Sequence, residues 1–234
     1  MFEGYKIRAP YFEIGPKCYM WGRRVLKLAQ EIDKIAHKYD LDVIVTPQYT
    51  DIRVLAENTK YIHVYAQHMD PLRPGRGLGS VLPEAIKEAG AVGVMLNHAE
   101  KKLTLPVIQE TIARADEVGL ASIVCADTVD EIMAVAHMSP NLIVAEPTEL
   151  IGTGVASDMS YVKETIKAVR EIDPRIMVLQ GAGISCPQDV ANVIMAGAEA
   201  TGCTSGVIRA ENPEAAAEEM LYTLRKTWNE VHGV

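Results

Sequence analysis

Glu146 closes an apolar run, Asn141-Leu142-Ile143-Val144-Ala145, and is followed by Pro147 and then by Ile151-Gly152-Thr153-Gly154. That order reads as a buried strand, an acid at its carboxyl end, and a loop hinged on small residues. The chemistry it suits is proton abstraction, because a carboxylate shut under a mobile loop loses water and gains basicity. A plainer reading, a surface glutamate beside a glycine turn, fits the segment equally well when it is taken alone. Glu149 is a second acid in the same loop, but it lies mid-loop, where solvent reaches it.

A histidine ends another apolar run, in Val94-Met95-Leu96-Asn97-His98-Ala99-Glu100. Two further runs end in small residues, Leu179-Gln180-Gly181-Ala182-Gly183-Ile184-Ser185 and Gly202-Cys203-Thr204-Ser205-Gly206. Loops of this kind let backbone amides approach an anion closely. His63 and His137 have no such company and read as structural residues.

The elements that position these groups alternate along the whole chain. Strands are expected at 11–14, 43–46, 62–66, 93–96, 121–125, 142–145, 176–180 and 200–204. Helical patterns fill 22–39, 52–57, 81–89, 105–118, 129–137, 158–172, 188–196 and 213–232. Val25, Leu28, Ala29, Ile32 and Ile35 show the spacing of a helix that buries one stripe. Such alternation implies parallel strands joined by right-handed crossovers. A count near eight at this length favours an α/β fold of the closed kind, a single (β/α)8 TIM barrel spanning 1–234. No GxGxxG follows the first strand, which disfavours an open dinucleotide-binding sheet. In such barrels chemistry sits on the loops after the carboxyl ends of the strands, and all four candidate segments fall there.

Composition narrows the partners. The chain has 234 residues, 48% of them hydrophobic, and a net charge of −8. A negative chain without clustered Lys and Arg does not suit nucleic acid. No apolar run reaches membrane-spanning length, and the first residues do not form a signal peptide, so no membrane partner is expected. Cys18, Cys125, Cys186 and Cys203 are far apart, which suits reduced thiols in a cytoplasmic protein and offers no metal site.

In their order and spacing the four strand-end segments resemble the triosephosphate isomerase family, and within it the short archaeal branch. The resemblance runs from about Gly22 to Asn229. It implies a cofactor-independent aldose–ketose isomerase of a small sugar phosphate, acting in glycolysis or gluconeogenesis as a homodimer or homotetramer. It assigns Glu146 as base and His98 as the group that polarises the carbonyl and shuttles protons. It places phosphate on Gly152, Gly183, Ser185, Ser205 and Gly206. Glu100 matches the family glutamate that pairs with a catalytic lysine, and Lys17, in Gly15-Pro16-Lys17, is the best match for that lysine. Lys6 and Arg8 are outside candidates for the same charge, and His68 matches a position near the subunit interface.

Three departures stand out. Gly15 replaces the family's asparagine, Ala99 replaces a serine after the histidine, and Leu78 replaces an interface threonine that supports the neighbour's asparagine. Arg73 and Arg76 are additions to that interface loop, placed there to meet an anionic or polyhydroxylated group or simply to face water. Because Gly15 and Ala99 are small, a paralogue acting on a longer ketose such as a tetrulose phosphate is the alternative. A sugar-phosphate-binding barrel without turnover is a third reading, against which Glu146, His98 and the complete lid argue. A Schiff-base lyase would need an interior strand-end lysine, which the sixth and seventh strands lack.

Overall fold

The computed structural model describes residues 1–233; Val234, which the single-domain expectation includes, lies outside the described residues. Eight short parallel strands close on themselves in sequence order: β1 (Tyr11–Ile14), β2 (Asp42–Val45), β3 (Ile62–Ala66), β4 (Gly93–Leu96), β5 (Ala121–Ala126), β6 (Leu142–Ala145), β7 (Met177–Gln180) and β8 (Ala200–Cys203). β1 completes the ring by pairing with both β2 and β8, with Glu13 level with Ile44 on one side and Gly202 on the other.

The crossovers are α1 (Gly22–Tyr39), α2 (Ile52–Asn58), α3 (Pro83–Glu88), α4 (Leu105–Val118), α5 (Val129–Ala136), α6 (Met159–Ile172) and α7 (Pro187–Met195). A four-residue α8 (Ser205–Ile208) and a long α9 (Pro213–His232) follow the last strand. α8 falls outside the sequence expectations, because one turn is too short to show a period. The other boundaries differ from expectation by a residue or two, where helix ends fray and strand pairing stops.

Caps fix several of the helices. Thr128 accepts a hydrogen bond from the Glu131 amide at 3.2 Å, and Asn212 accepts one from Ala215 at 3.1 Å. The start of α1 has no cap of its own. Instead Asp51, from the next crossover, accepts the Gly22 amide at 3.0 Å. Each satisfies a donor that the helix cannot pair internally.

Alternation along the strands sorts side chains into two layers. Phe12, Ile14, Val43, Val45 and their equivalents face the helices, while Tyr11, Ile44, Tyr65, Ile123, Val144 and Leu179 fill the barrel. Gly93 makes room inside, since a Cβ there would lie 2.2 Å from the Tyr65 ring. The segment before β1 closes the amino-terminal end: Tyr5 packs edge-on against Tyr65 and His63, and Phe2 exchanges two hydrogen bonds with Asn141. The opposite end stays open, and a cavity of about 470 Å³ lies there.

Candidate active site

Lys17, His98 and Glu146 come from three separate strand ends and line that one cavity. Lys17 sits in a left-handed backbone conformation (φ 46°), which is unusual for a residue with a side chain. Its carbonyl accepts hydrogen bonds from Gln48 Nε2 at 2.7 Å and Gln67 Nε2 at 3.2 Å, which hold the strained turn in place. Its ammonium reaches Oε1 of Glu100 at 2.8 Å. That contact keeps the Glu100 carboxyl below the usual carboxylate range.

His98 lies one residue before a tight turn, and its Nδ1 accepts the Glu100 amide at 3.1 Å. An accepting Nδ1 puts the proton of a neutral imidazole on Nε2. That nitrogen faces Oε2 of Glu146 at 3.7 Å. Burial, reinforced by the Lys17 charge, pushes the imidazole pKa down to about 4, so the ring is neutral at physiological pH. Glu146 is pushed the other way, above the ordinary carboxylate range, chiefly by burial and against the pull of Lys17 and the Ala182 amide. A neutral N–H donor and a basic carboxylate thus share one small cavity. This pairing can take a proton from carbon and stabilise the oxyanion that results.

The loop expected to act as a lid follows Glu146. A tight turn at Thr148–Leu150 leads to Gly152 and Gly154, both at positive φ (76° and 74°) with open space where a Cβ would be. Gly183 is different, because a Cβ there would lie 1.8 Å from the Val155 carbonyl. The seventh loop therefore touches the far end of the lid through a position only glycine can fill. Glu149 is exposed and lines a separate shallow hollow with Asp127 and Tyr161.

Of the five phosphate candidates, Gly152, Gly183 and Ser205 line the cavity. Ser185, which is exposed, and Gly206 are not in that wall. The Ser185 amide and hydroxyl both donate to Oδ2 of Asp189, at 2.9 and 3.0 Å. A Cβ on Gly206 would lie 3.0 Å from the Ser185 carbonyl, so these two loops pack directly on each other. Arg8 lies at the opposite end of the barrel, bound to Asp40 and Asp42, and is absent from the cavity wall. Lys6 precedes Arg8 in the same amino-terminal segment and is absent from the cavity wall. His68 is buried beside the cavity, with Nε2 at 3.3 Å from Asp70. Among the described residues no group of His, Cys, Asp or Glu side chains is placed to hold a metal ion, and no helix is long and apolar enough to cross a membrane.

Sequence reasoning passed over Glu13, Thr46 and Thr204, all in the cavity wall. The space expected from Gly15 is not free: a Cβ there would meet Glu13 Oε1 at 3.0 Å, Thr204 Oγ1 at 3.2 Å and Thr46 Oγ1 at 3.3 Å. Ala99 begins the turn after His98 and is not part of the wall. Nothing in the order Phe12-Glu13-Ile14 marks the acid as interior; closure of the barrel buries both faces of β1 and turns Glu13 into the cavity wall.

The family description Triosephosphate isomerase matches residues 14–217. The chain belongs to the triosephosphate isomerase family. Curated triosephosphate isomerases resemble it over most of their length. The one from Methanocaldococcus jannaschii is 40% identical over 203 residues, covering 86% of this chain and 92% of that one. The one from Sulfurisphaera tokodaii is 36% identical over 224 residues, covering 94% and 97%. The crystal structure of triosephosphate isomerase from Bartonella henselae superposes with a TM-score of 0.76 at 14% identity, over 94% of this chain and 99% of the other, a likeness of fold. As a member of the triosephosphate isomerase family the chain is an isomerase of that type, built on the closed eight-stranded barrel.

Proposed function

We propose that this chain, as one barrel domain over 1–234, interconverts the aldose and ketose forms of a small sugar phosphate through an enediolate. Glu146 removes a proton from the carbon beside the carbonyl and returns it to the neighbouring carbon. The His98 Nε2–H polarises the carbonyl and passes its proton between the two oxygens. The Lys17 ammonium offsets the negative charge that builds on the enediolate, and Glu100 holds both Lys17 and the tautomer of His98. Phosphate sits on the amides of Gly152, Gly183, Ser185, Ser205 and Gly206, the Ser185 amide leaving Asp189 to do so. The observation that carries this reading is the His98 imidazole, which burial keeps neutral, facing the partly buried Glu146 carboxylate at 3.7 Å. A neutral imidazole leaves the base ionised, whereas an imidazolium would protonate or neutralise it.

The names of its relatives make dihydroxyacetone phosphate the first substrate to try. In heavy water, wild-type protein should incorporate deuterium at the carbon beside the carbonyl. Absence of exchange with every small ketose phosphate offered would sink the reading.

Self-association belongs to the same proposal, as a homodimer or homotetramer formed through the 70–79 loop. Asp70 clamps the base of that loop by accepting the Val81 amide at 2.7 Å, while Leu78 at its tip is fully exposed. Arg73 folds back onto Glu117 at 2.8 Å, which leaves Arg76 as the loop's outward charge. Tyr19, in the cavity wall, and Trp21, two residues on, are also exposed and suit the other half of such a contact. Four free thiols, two of them exposed, suit the reducing cytoplasm.

A further inference from the structure

The first strand carries a carboxyl that the isomerisation does not use. Glu13 turns into the barrel with Tyr11, between two outward-facing residues, Phe12 and Ile14. Two glycines clear the space around it. A Cβ on Gly202 would lie 2.9 Å from Glu13 Cβ, and one on Gly15 would press on the carboxyl itself. Thr46 donates to Oε1 at 2.8 Å. Among the described residues no protein hydrogen bond reaches Oε2 of Glu13 or the Thr204 hydroxyl. Glu13, Gly15, Thr46 and Thr204 all line the cavity that holds Lys17, His98 and Glu146.

Neither atom is fully enclosed: both open onto the cavity, where a ligand hydroxyl can take the place of water and make the missing hydrogen bonds. The number of open valences then bears on the ligand. A three-carbon keto phosphate has two oxygens outside its phosphate, the carbonyl and one hydroxyl. Both sit on the reacting carbons, within the province of His98, Lys17 and Glu146. Nothing in such a ligand is left for Glu13 and Thr204.

We propose that Glu13, Thr46 and Thr204 form a hydroxyl-binding subsite that selects a phosphorylated ketose longer than three carbons. The reaction at that substrate rests on the isomerase reading; the binding preference does not. Gly15 leaves the carboxyl its place, since a Cβ there would come within 3.0 Å of Glu13 Oε1.

Binding of two polyol phosphates, glycerol 3-phosphate and erythritol 4-phosphate, tests it by calorimetry, since neither can react. Wild-type protein should bind the four-carbon ligand about tenfold more tightly, the effect of one well-made hydrogen bond to a buried group. Glu13→Leu and Thr204→Val should each lose most of that preference while holding the three-carbon ligand within about twofold. Thr204→Val keeps the side-chain shape and guards against a folding defect at Glu13. Equal affinity of wild type for both ligands overturns the proposal, and so does a preference that survives both variants. Equal losses on both ligands would mark Glu13 as a packing residue and overturn it too. Deuterium exchange by wild type, run beside this with three- and four-carbon ketose phosphates, reports separately on the isomerase reading.

Discussion

Oε2 of Glu146 lies 3.7 Å from Nε2 of His98, while the other ring nitrogen of His98 accepts the Glu100 amide. One backbone amide therefore decides which nitrogen meets the base. His98→Gln keeps a donor but loses the ability to pass a proton between two oxygens. Its kcat should fall about a hundredfold with a much smaller change in affinity for a phosphate analogue, because the imidazole acts on charge that develops in the transition state. Steady-state kinetics beside a binding titration separates the two.

Glu146→Gln should remove deuterium exchange while phosphate-analogue binding survives. General-base contributions of about a hundred- to ten-thousand-fold put the loss well outside assay error. Glu149→Gln, in a separate hollow, should change the rate little. A reversal of these two results would move the base to Glu149.

The pH profile follows from the two shifts. Glu146 must be ionised to accept a proton, so kcat/KM should climb with pH through a value above the usual carboxylate range and then level off. His98, pushed down to about 4, stays neutral across that climb. The acid limb should therefore remain in His98→Gln, at a lower plateau. Loss of the limb in that variant would assign it to the imidazole.

Glu13 gives a stability prediction of its own. Its carboxyl is raised by burial from 4.5 to about 7, so the folded protein keeps this proton over a range where the unfolded chain has lost it. The stabilisation is complete below about pH 4.5 and is lost as pH rises through about 7, with a slope of at most about 1.4 kcal/mol per pH unit. Glu13→Gln removes this contribution. Melting temperatures of wild type and variant from pH 5 to 8 should therefore move in the variant's favour as pH increases. Parallel curves would refute it.

Leu78→Glu should shift the protein toward monomer, because the residue is fully exposed at the tip of the 70–79 loop. Light scattering at micromolar concentration distinguishes the outcomes. A wild-type monomer would remove the role assigned to this loop.

Much of this architecture was legible from residue order. Strands of four to six residues, bounded by turns and separated by amphipathic stretches, leave few alternatives to a parallel barrel, and β1, β3, β4 and β6 fall where their β-rich runs end. Glu146 and His98 stood out because polar residues that terminate apolar runs mark strand ends. Glu13 did not, because an acid inside a four-residue strand looks like the outward face of a half-buried one. Only ring closure, which buries both faces, sends it inside. Ser185 shows another limit. Its glycine-rich setting suggests an anion loop, yet Asp189, four residues on, already takes its amide and hydroxyl, a local competition that composition does not reveal.

Tyr5, Tyr11 and Tyr65 pack the barrel beneath the cavity floor, and this has a kinetic corollary. With that end filled, the described residues leave the cavity a door at the carboxyl ends of the strands. Incoming and outgoing molecules must use it by turns, under a lid whose far end rests on Gly183. Product held inside blocks arrival outright, so product inhibition should be competitive with substrate. Mutations that slow lid opening should slow entry and exit together, and leave the equilibrium between the two sugars untouched.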